Sequence, residues 1–209
     1  MSSIPFTFII IGITVLVSLA AFSNKSLEYR YILNPYIVHR RKEWWRLLTS
    51  GFLHGDFAHL FFNMLSLFLF GLATEARFHE IFGEKAVFFY LLLYLSGIII
   101  ANLPDTFSKK NHSGYNALGA SGGVSSIVFA FIMFEPTAKM GAYILPPFIP
   151  AWIFGLLYLW YSKYMAEKQY DNIGHTAHFW GALWGVIFMI LTFPPIIRIF
   201  ITKIAGSFQ

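Results

Sequence analysis

Leu118-Gly119-Ala120-Ser121-Gly122-Gly123-Val124-Ser125-Ser126-Ile127-Val128-Phe129-Ala130-Phe131-Ile132-Met133-Phe134 is an uncharged run that opens on small residues and closes on large apolar ones. It stops before Glu135 and Pro136, and a proline turns the residue ahead of it away from helical geometry. An apolar stretch of this length with no charge reads as a helix crossing a membrane. Its glycines and serines would let neighbouring backbones approach closely.

Similar runs lie on both sides. The expected spans are Ile4 to Phe22, Phe57 to Thr74, Ala86 to Leu103, Leu118 to Phe134, Leu145 to Trp160 and Thr176 to Phe193. The 209-residue chain is 57% apolar and 12% charged, against about 45–50% and about 25% in soluble domains. Lipid is therefore the expected solvent, and the expected fold is an all-α, polytopic transmembrane six-helix bundle forming one domain over residues 1–209. The loop after the third span, with Pro104, Asp105, Lys109, Lys110 and Asn111, is expected to be non-helical from its Gly and Asn content. Ile4 to Phe22 has no preceding Lys or Arg and is longer than a signal core, so it reads as a first span rather than a cleaved signal.

The absence of cysteine removes thiol nucleophiles and thiolate metal ligands. A net charge of +5 comes from basic residues dispersed among the apolar runs, with one cluster at Arg40, Arg41 and Lys42. That pattern suits anionic lipid headgroups and not a nucleic acid. Ser23 to Ser50 is too polar to span, yet Tyr29, Tyr31, Tyr36, Trp44 and Trp45 suit the headgroup zone, so it is expected to rest on the membrane. A literal count of Lys and Arg per loop puts the termini outside, a count dominated by this one segment.

Polar side chains inside apolar helices are costly and mark function. They gather at His54, His59 and Asn63, at Gly119 to Gly123 around Ser121, and at His175 and His178. His59 and Asn63, four apart, share a helix face and can aim two donors at one target. Ser121 lies among glycines that leave its hydroxyl uncovered, and His178, Gly181 and Gly185 fall on one stripe. Nucleophile, base and oxyanion donors are what acyl transfer needs, with neither metal nor cofactor. Each piece alone has a plainer reading, a packing seam or a proton path. Their joint occurrence on three helices favours chemistry.

At these residues the chain resembles the rhomboid intramembrane proteases. Glu43-Trp44-Trp45-Arg46 resembles the family's first-loop element, and His54-Gly55-Asp56-Phe57-Ala58-His59-Leu60-Phe61-Phe62-Asn63-Met64 its second-helix signature. Gly119-Ala120-Ser121-Gly122 is similar to the nucleophile motif, and Ala177 to Gly185, with His178, Gly181 and Gly185, to the base motif. The resemblance implies a Ser121–His178 dyad, with His59, Asn63 and the Ser121 N–H stabilising the oxyanion. It implies structural support from Gly119, Gly122, Gly181, Gly185, Trp45 and Arg46, and structural roles for Glu75 and Arg77. It also implies cytoplasmic termini, single-span membrane protein substrates cut near a small residue, and a bacterial cell membrane. Many relatives carry, four residues after the nucleophile, an aromatic that packs on the base; this chain has Ser125. Orientation of His178 must then come from another aromatic or from Asp171 or Asn172. His175, ahead of the last span, is either a partner standing behind the base or a solvated loop residue, and its place before the helix favours the loop.

Three other classes compete. A noncatalytic relative would usually lack the serine or the histidine. A transporter or channel would use the histidines for protons or metal, but no His-Glu-x-x-His helix is present. A soluble α/β-hydrolase shares Gly-x-Ser-x-Gly but needs alternating strands and helices.

Overall fold

The structure is a computed structural model that describes residues 4–142, 145–168 and 174–208. Helix α1 is Phe6–Ser23, and the polar segment after it forms α2, Lys25–Tyr31, α3, Pro35–Arg41, and the single turn α4, Arg46–Thr49. Asn24 and Asn34 start α2 and α3, each accepting a backbone N–H with its side-chain oxygen. Helix α5, Phe57–Ser66, passes through a π-helical turn at Leu67–Gly71 into α6, Leu72–Phe82. After it come α7, Ala86–Ser108, and α8, Ser121–Phe134. A two-stranded antiparallel hairpin, β1 Lys139–Ala142 and β2 Leu145–Pro150, precedes α9, Ala151–Lys168, α10, His175–Thr192, and α11, Ile196–Gly206.

By length and composition, Phe6–Ser23 and the helical stretch Phe57–Ser108 can cross a membrane, and the pair His175–Thr192 and Ile196–Gly206, bent by 112°, would make a third span. The long stretch is folded. A Cβ on Gly71 would lie 2.7 Å from Tyr90 Oη, whereas a straight helix would hold residues that far apart in sequence about 28 Å apart. The reversal falls at Gly83, whose φ is 55°, and Phe82 then stacks on Phe89.

Helix α8 is the centre of this all-α membrane bundle, with eleven of its 14 residues buried. That explains why its sequence is apolar on every face. On one side Gly97 and Ala101 of α7 meet Ser126 and Gly122; on the other, Gly181 and Gly185 of α10 meet Gly122 and Ser126.

Several expectations need correcting. The fifth run does not begin helical at 145: Pro146, Pro147 and Pro150 lie in β2, because proline cannot donate within a helix. The helix starts at Ala151 and extends to Lys168. Conversely α7 continues through Pro104 to Ser108. Tertiary contacts hold its last turns: Asn102 donates to Leu47 O at 2.8 Å, and the Asp105 carboxylate accepts the Tyr115 hydroxyl at 2.7 Å. Helix α11 was not foreseen. Its Lys203 donates to Phe134 O at the C-terminus of α8 and pairs with Glu135, which also accepts Arg77 of α6.

Candidate active site

Two glycine contacts set the register between α8 and α10. A Cβ on Gly181 would sit 2.3 Å from Gly122 O, and one on Gly185 would sit 2.3 Å from Ser126 O. Both steps advance four residues along each helix, so the helices run parallel with their backbones touching. Ser121 immediately precedes Gly122, and His178 is one turn before Gly181 on the same stripe. The alcohol and the imidazole thus stand on facing turns at the same end of the seam, each half-buried.

The His178 ring is flanked from two helices. Tyr158 of α9 stacks on it with centroids 6.2 Å apart and planes 24° apart. His175 meets it edge-on at 5.8 Å. Tyr158 in turn shares a 2.8 Å hydrogen bond with Ser125 Oγ. The aromatic stacked on His178 therefore comes from α9; Asp171 and Asn172 lie outside the described residues. His175 is not a solvated loop residue. It opens α10, is buried, and packs against the Tyr161 ring as well as His178, because the first helical turn already faces α9.

Two residues before Ser121, the His59 ring rests on Gly119. A Cβ there would lie 2.7 Å from His59 Cε1, and Gly119 has a φ of 128°. Space and backbone both require glycine. Asp56 starts α5 by accepting the His59 N–H at 2.7 Å. One turn on, the buried Asn63 amide donates to His59 O at 3.2 Å. Val124 N–H donates to Ala120 O, so Ser121, Gly122 and Gly123 fill the first turn of α8, whose N–H groups have no intrahelical acceptor. These donors and the helix dipole favour negative charge beside Ser121.

His54 fixes the chain just before the serine. It is 1% exposed, and its Nε2 accepts the Ala120 N–H at 3.4 Å. Nδ1 then carries the proton and donates to Ser18 Oγ at 2.9 Å, and Ser18 passes a hydrogen bond to Phe52 O. Burial, then the neighbouring His59, pull His54 down to about 3, against a smaller opposing pull from Asp56. It is neutral at physiological pH.

The supporting residues lie farther out. Arg46, buried, donates to Tyr29 O and Ile32 O at the end of α2 and pairs with Glu43. Trp45 is half exposed and stands at the start of α4. Glu75 accepts the Phe6 and Thr7 N–H groups and the Thr7 hydroxyl, clamping the start of α1. Sequence reasoning missed Tyr158 and Ser18. A serine within the apolar Phe6–Ser23 run was a signal for the second; nothing local singled out the first.

The family description Rhomboid domain matches residues 41–195. The chain belongs to the rhomboid family. That match contains Trp45, Arg46, His59, Asn63, Ser121 and His178, and with the apolar helices it makes this an integral membrane protein. Among rhomboids, the chain is 36% identical over 90 residues to Rhomboid protease GluP of Bacillus subtilis, covering 43% of this chain and 16% of that one. It is 29% identical over 151 residues to RHOMBOID-like protein 12, mitochondrial, of Arabidopsis thaliana, 65% of this chain and 43% of that one. With Rhomboid-like protein 11, chloroplastic, of the same plant, it shares 26% over 190 residues, 85% and 63%. The matches thus span less than two thirds of these relatives' lengths.

Proposed function

We propose that this rhomboid is an intramembrane serine endopeptidase in which Ser121 Oγ attacks a peptide carbonyl while His178 accepts its proton. The imidazolium then gives that proton to the leaving amine as the C–N bond breaks, leaving an acyl ester on Ser121. Water, activated by His178, hydrolyses the ester and regenerates the serine. His59, Asn63 and the Ser121 N–H are the donors for the tetrahedral oxygen.

The observation that supports this reading is the glycine seam: Gly181 meets Gly122 and Gly185 meets Ser126, the first contact falling one residue after Ser121 and one turn after His178, with the His59 ring against Gly119. Depth supports an intramembrane reaction. A 14-residue helix is about 21 Å long, against a hydrocarbon thickness of about 30 Å. With Ser121 as its first residue, the hydroxyl can lie below the membrane surface and still be reached by water. Single-span membrane proteins cut near a small residue, a bacterial cell membrane and cytoplasmic termini belong to the same proposal.

Cleavage of a transmembrane reporter in liposomes tests it. Ser121→Ala and His178→Ala are expected to abolish cleavage with thermal unfolding unchanged; cleavage persisting in Ser121→Ala defeats the assignment. His59→Ala and Asn63→Ala are expected to lower turnover, by about 10²–10³-fold if each donor acts alone. A normal rate in the double variant removes their role.

A further inference from the structure

Given the dyad proposed above, the neutral imidazole must hold one ring nitrogen toward the serine hydroxyl. Its χ2 torsion is broad, so the backbone of α10 does not fix the ring plane. The edge-on contact from His175 limits one side of the ring but leaves the plane free to tilt. A near-parallel ring removes that freedom, and Tyr158 supplies it, at 24° and 6.2 Å.

Tyr158 is itself held at both ends. Its hydroxyl is 2.8 Å from Ser125 Oγ. Its ring stacks on Phe154 at 6.2 Å and tilts against Phe129 at 5.6 Å. Ser125 is four residues after Ser121, so it lies one turn below the nucleophile on the same face of α8. Ser125, Tyr158 and His178 thus form one chain of contacts drawn from three different helices.

The helix that brings Tyr158 is the loosest of the three. Among residues of α9 only Ala151, Gly155 and Ser162 are buried, against eleven in α8. Gly155, one turn before Tyr158, makes the approach to α8: a Cβ there would meet Ile132 at 3.3 Å and Phe129 at 3.4 Å. Leu156, Leu157 and Trp160 face outward.

We propose that Tyr158, clamped by Ser125, is the positioning residue for His178, so that the base is oriented only while α9 is seated on α8.

The test uses kcat and KM on the transmembrane reporter, together with the rate at which a fluorophosphonate modifies Ser121, in the full chain. Tyr158→Leu is expected to lower kcat and the labelling rate about tenfold or more, with KM little changed. Tyr158→Phe keeps the ring and loses only the hydroxyl, and is expected to fall by about threefold or less. The exchange Ser125→Tyr with Tyr158→Ser moves the ring onto α8 and is expected to recover rate relative to Tyr158→Ser alone, a rescue that a general packing role does not produce. Gly155→Leu, which lifts α9 by crowding Ile132 and Phe129, is expected to lower kcat, and to add little further loss in the double variant with Tyr158→Leu. Unchanged kcat in Tyr158→Leu, or a loss confined to KM, overturns the positioning role. A wild-type chain that neither cleaves nor labels overturns the protease reading instead, so the two failures are distinct.

Discussion

Replacing Gly181 with alanine puts one methyl group into the seam on which the proposed chemistry depends. Its Cβ would sit 2.3 Å from Gly122 O and 2.9 Å from Gly122 C and Cα, where ordinary contact begins at 3.4 Å. The shortfall is 3.4 − 2.3, about 1.1 Å, and no rotamer relieves it because the partner is backbone in the middle of the bundle. Helix α10 must therefore withdraw by about 1 Å and take His178, one turn away, with it. A displacement of that size costs about 10²-fold in rate when reacting groups are misaligned. Overpacking of this kind also destabilises by ~1–3 kcal/mol. The assay is kcat on a transmembrane reporter at saturating substrate, alongside thermal unfolding in the same detergent. Gly12→Ala on α1 is the control, since nothing lies within 4 Å of the added Cβ. It is expected to be neutral in kcat. A kcat for Gly181→Ala within about twofold of wild type would show that the glycine seam does not set the geometry of the site, and the reasoning from backbone contact to catalysis would fail.

Glu75→Ala leaves two N–H groups and a hydroxyl at the start of α1 without their acceptor, so it is expected to destabilise by ~2–5 kcal/mol while kcat stays near wild type at permissive temperature; an unchanged unfolding temperature removes the clamp. His54, held at about 3 against its ordinary 6.5, takes up a proton in the unfolded chain before the folded one. Its contribution to stability is therefore complete above about pH 6.5 and is lost as pH falls toward 3, by at most ~1.4 kcal/mol per pH unit. Unfolding measured between about pH 7 and pH 5 should show a steeper decline in wild type than in His54→Phe, and equal slopes would mean that the histidine is not held neutral.

The parts of the fold that were legible are those where one residue type decides local geometry. The uncharged run ending at Glu135-Pro136 became α8, and the stripe of His178, Gly181 and Gly185 became its contact face with α10. His59 and Asn63 emerged on the first two turns of α5, as their spacing requires, with Asp56 capping its start. What escaped the sequence depended on contacts between distant segments. Pro104 argues locally against helix, yet Asn102 and Asp105 are anchored by Leu47 and Tyr115, and the last turns of α7 persist. Leu145 to Pro150 is as apolar as a span, but its prolines send it into a hairpin. With Ser125 after the nucleophile, orientation of His178 is left open between another aromatic and Asp171 or Asn172, and only packing of α9 against α8 reveals the stacked ring as Tyr158. A helix after Pro195 has no expected partner until Lys203 is seen to meet Phe134 O and Glu135.

Treating the detergent-solubilised protein with a fluorophosphonate and mapping the adduct by peptide mass spectrometry asks the central question directly. One phosphonyl group on Ser121, absent in His178→Ala although that variant stays folded, is the predicted outcome. Adduct on another residue, or equal labelling of Ser121 without the histidine, would mean that the two turns facing each other across α8 and α10 do not work as a catalytic pair.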